Sequence, residues 1–287
     1  MSKKVVLITG TNSGFGWLTA NTLADLGHTV YATMRDTQSK NADKAKALST
    51  VPNITVLDVT LTSEESVQHA IDSIIKKEGR IDVLVNNAGF GASGVAESFT
   101  TTDVEEMFGI HVVANWRLMK AVLPSMRKQA EGLIINISSG AGRFAFPFMT
   151  VYSAAKFGLE GLSEGLHYEV KKLGVDVTLL QPGAFPTDIL HKLKTGSDAA
   201  VTAEYGPLAA IPEQMGKGIA QLFETVKPDP QEIADAVVDL INLPKGQRPL
   251  RTVVDPATGH IVRAANEGVK IEYEKTLAAF GMGELLN

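Results

Sequence analysis

Six short apolar runs, each followed by a stretch of helical pattern, constrain this fold more than any other feature of the chain. They fall at residues 5–8, 29–33, 54–57, 81–85, 133–137 and 175–180. Continuous apolar runs of this length read as strands covered on both faces, and helical crossovers between them make the sheet parallel. The expectation is an α/β chain with a Rossmann-like doubly wound parallel sheet. Residues 251–254, Arg-Thr-Val-Val, would add an edge strand and bring the sheet to about seven. A chain of 287 residues holds this as a single domain over 1–287. No repeat, low-complexity tract or linker divides it.

Residues able to do chemistry gather where these strands end, the edge at which such sheets bind ligands. The first run stops at Thr9-Gly10-Thr11-Asn12-Ser13-Gly14-Phe15-Gly16, and a helical stretch closed by Gly27 follows. Strand, glycine turn and helix aim backbone N–H groups and a positive helix end at a phosphate. Gly10, Asn12, Ser13, Gly14, Phe15 and Gly16 are therefore the candidate phosphate cradle. Their spacing is not the common G-x-G-x-x-G, and a plain strand-to-helix turn needs glycine too.

The second run leads into Met34-Arg35-Asp36. Met34 cannot bond a ribose hydroxyl, whereas Arg35 can pair with a 2′-phosphate through two parallel hydrogen bonds, which favours NADP(H). Asp36 would serve the hydroxyl if the strand ran one residue further, so NAD(H) stays open. The third run ends in Asp58-Val59, a position suited to the adenine. The fourth ends in Asn86-Asn87-Ala88-Gly89, where amides can bond neighbouring backbone and small residues leave room for a flat ligand. The sixth ends in Gln181-Pro182-Gly183, with Thr187 close behind.

The fifth run carries Ser138-Ser139, and the helix after it opens on Tyr152-Ser153-Ala154-Ala155-Lys156. Residues four apart stand one above the other on a helix. An ammonium beside a phenol favours the phenolate, so Lys156 is expected to lower the pKa of Tyr152 from about 10 toward working pH. Tyr152 then exchanges a proton with a carbonyl/alcohol pair, and Ser139 holds the reacting oxygen. Tyr168 and Lys172 repeat the spacing, but among Glu169 and Lys171 on what reads as a solvated face, with no serine upstream.

Hydrophobic residues make up 44% of the chain and charged residues 21%, ordinary for a globular protein. A net charge of −5 with no basic block argues against a nucleic-acid partner. Without cysteine there is no disulfide, thiolate metal site or thiol nucleophile. The six histidines show no metal-ligand spacing, so no metal is expected. Met1-Ser2-Lys3-Lys4 runs directly into the first strand, too short for a signal or a membrane span, and a cytoplasmic protein is expected.

Taken together, Thr9-Gly10-x-x-x-Gly14-x-Gly16, Asp58, Asn86-Asn87-Ala88-Gly89, Ser139, Tyr152-x-x-x-Lys156 and Pro182-Gly183 with Thr187 resemble the short-chain dehydrogenase/reductase family, in its short single-domain branch. The resemblance covers roughly residues 5 to 190 and implies hydride transfer between NAD(P) and an alcohol or ketone. It makes Tyr152 the acid/base, with Lys156 bonding the nicotinamide ribose and Ser139 orienting the substrate oxygen. Thr187 would touch the carboxamide or a phosphate, and Asn86 and Ala88 would line the adenosine ribose. Where the family has an asparagine that holds a proton-relaying water, this chain has His111, with Asn115 one turn on. The resemblance also implies a homotetramer or dimer.

Residues 185–227 read as a lid over the substrate. Phe144, Phe146, Pro147, Phe148 and Met149, with Phe185, Leu190, Leu208 and Ile211 of the lid, fit an apolar ketone or secondary alcohol. The reading is an NADPH-dependent carbonyl reductase, equally an alcohol dehydrogenase in reverse. A non-catalytic NADP(H) sensor, or an epimerase or dehydratase of the same superfamily, is the alternative. Retention of Ser139, Tyr152 and Lys156 argues against the first, and the missing sugar-nucleotide domain against the second.

Overall fold

The computed structural model describes residues 2–189 and 192–286. Its elements in chain order are β1 (Val5–Thr9), α1 (Gly14–Asp25), β2 (Thr29–Met34), α2 (Ala42–Ser49), β3 (Ile54–Asp58), α3 (Glu64–Glu78), β4 (Val83–Asn86), α4 (Thr101–Phe108), α5 (Ala114–Gln129), β5 (Gly132–Ile137), α6 (Thr150–Val170), β6 (Val175–Pro182), α7 (Ala199–Glu204), α8 (Ile211–Val226), α9 (Gln231–Asn242), β7 (Arg251–Val254) and α10 (Gly259–Ala279). The strands form one sheet in the order β3-β2-β1-β4-β5-β6-β7. Every pairing in it is parallel.

Both faces of the sheet are covered, which is why its strands are apolar without alternation. On one face Val6, Ile8, Val30 and Ile135 pack against Leu23 of α1, Leu48 of α2 and Val237 of α9. On the other, Leu7, Leu84 and Ile134 meet Ile71 of α3, Leu118 of α5 and Leu166 of α6. Strand order reverses between β1 and β4, so the crevice that binds ligands in such sheets opens there.

Helix ends follow their local chemistry. Ser63 accepts from the Ser66 N–H at the start of α3, and Gly79, at φ 74°, closes that helix in the left-handed conformation. Thr100 and Asp103 form a reciprocal capping box on α4. The amphipathic pattern from Asp103 to Met126 is not one helix. A π-helical turn, Gly109–Val113, separates α4 from α5 and carries His111. A period of about 3.6 survives such a turn in sequence, so apolar spacing alone does not reveal it.

Candidate active site

The loop after β1 is built for close approach. Gly10 is left-handed at φ 69°, and a Cβ on it would stand 2.7 Å from the Ala88 Cα. A Cβ on Gly16 would meet the Asn87 side chain and the Gly10 carbonyl, both at 2.4 Å. Asn87 holds this turn, donating from Nδ2 to the carbonyls of Thr9 at 2.8 Å and Gly10 at 3.1 Å. Thr9 Oγ1 accepts from the backbone N–H groups of Asn87 and Ala88, each at 3.0 Å. The ends of β1 and β4 are thus clamped at the switch point. Asn87 bonds neighbouring backbone as the sequence reading expects of the strand-end amides, whereas the part Thr9 plays through its side chain carried no sequence signal.

At the start of α1 the Ser13 side chain makes no capping bond, and the first turn holds no acidic residue. Its N–H groups and positive dipole end remain available to an anion. Thr187 faces this loop, its Cβ 3.7 Å from where a Cβ on Gly14 would sit. Phe15 packs edge-on to Phe185, ring centroids 5.6 Å apart. Glycine cradle, uncapped helix start and threonine fit the pyrophosphate of a dinucleotide.

Arg35 is the first residue beyond β2, with its side chain 71% exposed and 3.8 Å from Asp36. Asn12 donates to Asn41 at 3.2 Å, and Asn41 donates to the Arg35 carbonyl at 2.7 Å, linking the phosphate loop to this position. Asp58 accepts from the Thr37 N–H at 2.8 Å and hydroxyl at 2.7 Å, bracing the same loop. Val59 is 3% exposed and packs into the core, so its side chain does not line an adenine site as expected. Asn86 also departs from expectation. Its side chain is 1% exposed and donates to Asn136 at 2.8 Å, which in turn donates to Ser163 of α6 at 2.8 Å. The amide braces the sheet against α6, leaving only the backbone of Asn86 to meet a ribose. Ala88 and Gly89 line the crevice edge; a Cβ on Gly89 would meet His111 Cε1 at 2.5 Å. Pro182 ends β6, and the Gly183 N–H donates to Val254 at 2.9 Å.

Ser139, Tyr152 and Lys156 come together as the spacing predicts. Ser139 leads a short turn after β5 and accepts from the Ala141 N–H at 3.1 Å. Tyr152 and Lys156 lie buried on one face of α6. The expected depression of the Tyr152 pKa is not found. Burial pushes the phenol up to about 12, and a hydrogen bond with Ser139 draws it the other way. Lys156 Nζ donates to the Ile137 carbonyl at 2.9 Å and lies 5.7 Å from the Tyr152 ring centroid. Its own pKa falls to about 8, because burial outweighs the attraction of Glu160 one turn along.

His111 sits edge-on to Tyr152, ring centroids 5.7 Å apart. Its Nε2 meets the Phe90 backbone, 2.8 Å from the carbonyl and 3.2 Å from the N–H. Burial first, then the Lys156 charge, hold its pKa well below the usual histidine range, so the ring is neutral. Its Nδ1 is buried without a protein partner. Asn115, one turn on, donates to the His111 carbonyl at 2.8 Å, and its Oδ1 is buried without a protein partner. Tyr168, read as solvated, instead packs between His167 at 5.0 Å and Tyr273 at 5.6 Å.

In the segment read as a lid, α7 and α8 contribute no buried residue. The strand-like contact of Lys194 with Ala92 ties its base to the β4 side, the Lys194 N–H donating to Gly91 at 2.9 Å. Phe185 is no lid residue: it is 2% exposed in the core. Leu208 is exposed, Ile211 half-buried, and Leu190 lies outside the described residues. Phe146 is exposed after Ser139, while Met149 packs beside Tyr152. Among the described residues no helix is long and apolar enough to cross a membrane.

The short chain dehydrogenase family model matches residues 4–198. A 3-ketodihydrosphingosine reductase from Bacteroides thetaiotaomicron is 43% identical over 187 residues, 65% of this chain and 66% of that protein. The chain therefore spans slightly less than two thirds of that relative. Retinol dehydrogenase 8 of Homo sapiens is 33% identical over 245 residues, 83% of this chain and 78% of that one. A solved short-chain dehydrogenase from Streptomyces avermitilis shares the fold at a TM-score of 0.77 and 30% identity, over 98% of both chains. The family match spans the glycine cradle, the crevice between β1 and β4, and the Ser139, Tyr152 and Lys156 cluster. The chain belongs to the short-chain dehydrogenase/reductase family of NAD(P)-dependent oxidoreductases.

Proposed function

We propose that the chain is an NADPH-dependent carbonyl reductase, equally an alcohol dehydrogenase in reverse, acting on an apolar ketone or secondary alcohol. The observation that carries this reading is the convergence of Ser139, Tyr152 and Lys156 beside the crevice between β1 and β4. When bound, the nicotinamide supplies the hydride to the carbonyl carbon. The chain's own groups manage the oxygen. Ser139 donates a hydrogen bond to it, and Tyr152 gives up its phenolic proton as negative charge develops. Acid help of this kind contributes about 10²–10⁴-fold. A phenol with a pKa near 12 holds its proton until an oxyanion forms, which suits an acid in the reducing direction. Lys156 offsets the charge left on the phenolate and would bond the ribose of a bound cofactor.

His111, edge-on to Tyr152 with a free Nδ1, stands where protons pass to and from the phenol. As a neutral imidazole it accepts on one nitrogen and donates from the other. Arg35, anchored through Asn41 to the phosphate loop, supports NADP(H) over NAD(H). The aromatic segment after Ser139 supports an apolar substrate. So do the names of the two curated relatives, which refer to a retinol and to a ketodihydrosphingosine. Val113 of the π-helical turn, Trp116 of α5 and Phe157 of α6, all exposed, support a homo-oligomer joined through that face. The test is initial rates with NADPH and NADH against a ketone panel, for wild type and Tyr152→Phe. NADPH oxidation in wild type, lost in the variant while NADPH binding persists, is expected. Full activity in the variant would refute the acid/base role.

A further inference from the structure

Glu160 lies on the α6 stripe of Tyr152 and Lys156 and is 3% exposed. Its Oε1 accepts from Gln181 Nε2 at 2.9 Å, and its Oε2 accepts from Arg251 Nε at 2.8 Å. A second bond from Arg251, Nη1 to Glu164 at 3.0 Å, shares that guanidinium between two carboxylates. Gln181 in turn accepts from Asn266 of α10 at 2.7 Å. Above, Glu160 presses on the turn that carries Ser139. A Cβ on Gly142 would stand 2.9 Å from Glu160 Cγ and 3.2 Å from the Lys156 carbonyl. Gly142 is the residue that lets this glutamate lie under the catalytic turn.

We propose that Glu160 is a positioning residue of this site, the buried counter-charge that keeps Lys156 protonated and seats the Ser139 turn, held in place by Arg251 at the β7 edge. The inference rests on the reductase reading above. Burying a carboxylate costs several kcal/mol unless it is paired, so its retention beneath the site calls for partners on every side. Among the described residues, Lys156 has Tyr152 one turn before it on α6 and Glu160 one turn after it, with the neutral His111 against Tyr152; of these Glu160 is the anion. The charged groups facing Glu160 are Lys156, Arg251, Arg143 and, through Arg251, Glu164. Two carboxylates share one bonded guanidinium. Arg143 has an unpartnered Nε, so it does not take up the remaining negative charge by contact.

The test compares wild type, Glu160→Gln, and Glu160→Gln combined with Arg251→Gln, which avoids leaving a buried guanidinium without its partner. Lys156 is titrated by NMR of 15Nζ-labelled lysine in protein without cofactor, and the pH profile of NADPH-dependent reduction is recorded alongside. Loss of the carboxylate is expected to move the Lys156 titration down by about one pH unit. Reduction then weakens about fivefold near pH 8 and little at pH 6.5. The double variant should shift the same way by less. A Lys156 titration unmoved in whichever variant folds overturns the proposal, as does a rate lowered equally at every pH. The NMR readout needs no turnover, so failure of the reductase reading and failure of this inference are separately visible.

Discussion

The Lys156 ammonium donates to the Ile137 carbonyl at 2.9 Å, so this cation is anchored to the end of β5 and not to the phenol above it. Burial lowers its pKa to about 8. The proposed reduction needs the cation to offset the phenolate left on Tyr152. Its rate should therefore hold below pH 7 and fall as pH rises through about 8, with no step from His111 between pH 6 and 8. Lys156→Met should remove that limb and lower the rate about 10²-fold at pH 7. Steady-state profiles in non-interacting buffers check both. A limb unchanged in the variant assigns the titration elsewhere.

The phosphate cradle depends on the space at Gly16. A methyl there would meet Asn87 Nδ2 and the Gly10 carbonyl at 2.4 Å, both parts of the clamp between β1 and β4. Gly16→Ala should weaken NADPH binding by more than tenfold by calorimetry, with the fold intact by circular dichroism. Asn87→Ala, which empties the same contact, should weaken binding by a comparable factor through a looser loop. Unchanged affinity in both would remove the cradle from the cofactor site.

Arg35 is exposed at the end of β2, and its backbone is tied to the phosphate loop through Asn41. Arg35→Ala should raise the Kd for NADPH about tenfold, as expected for losing one charge-assisted phosphate contact, and leave that for NADH unchanged. Equal effects on both cofactors would point to a general disturbance of the loop.

How much of this was legible in the chain differs by kind of feature. The sheet was, because strands buried on two faces leave continuous apolar runs; the edge strand at Arg251, half-buried along its length, leaves only a short Thr-Val-Val signal. The clustering of Ser139, Tyr152 and Lys156 was also legible, since a helical repeat fixes which residues share a face. The pKa of Tyr152 was not, because depth of burial is a property of the packed core. Nor was the division of labour between Asn86 and Asn87. Adjacent residues at a strand end point to opposite faces, and only the fold says that Asn86 points into the α6 layer. Glu160 did have a signal: positions 152, 156 and 160 form one stripe, and a glutamate there sits on a buried face. Its partner Arg251 is 91 residues away, beyond the reach of any local pattern.

Asp103 shows how the segment after β6 is fastened. Its carboxylate accepts from the Thr100 N–H at 2.9 Å, from the Ser197 hydroxyl at 2.6 Å and from the Ser197 N–H at 3.1 Å. One side chain thereby caps α4 and pins the strand-like stretch leading to α7. These donors hold its pKa well below the usual carboxylate range, the Ser197 hydroxyl contributing most. The folded pKa lies below the unfolded value of about 4, so the folded state binds fewer protons. The stabilisation is complete above about pH 4 and is lost as pH falls through the lower, folded value. Asp103→Asn should lower the Tm by a constant amount from pH 8 to 5, and the gap to wild type should close only under more acid conditions. Hydrogen exchange should speed up at 197–204 in the variant, and, on the proposed reading of this segment as a substrate lid, the KM for an apolar ketone should rise more than kcat falls, because the segment is loosened while Tyr152 is untouched. A Tm gap that closes already near pH 6 would mean that another group carries the contact.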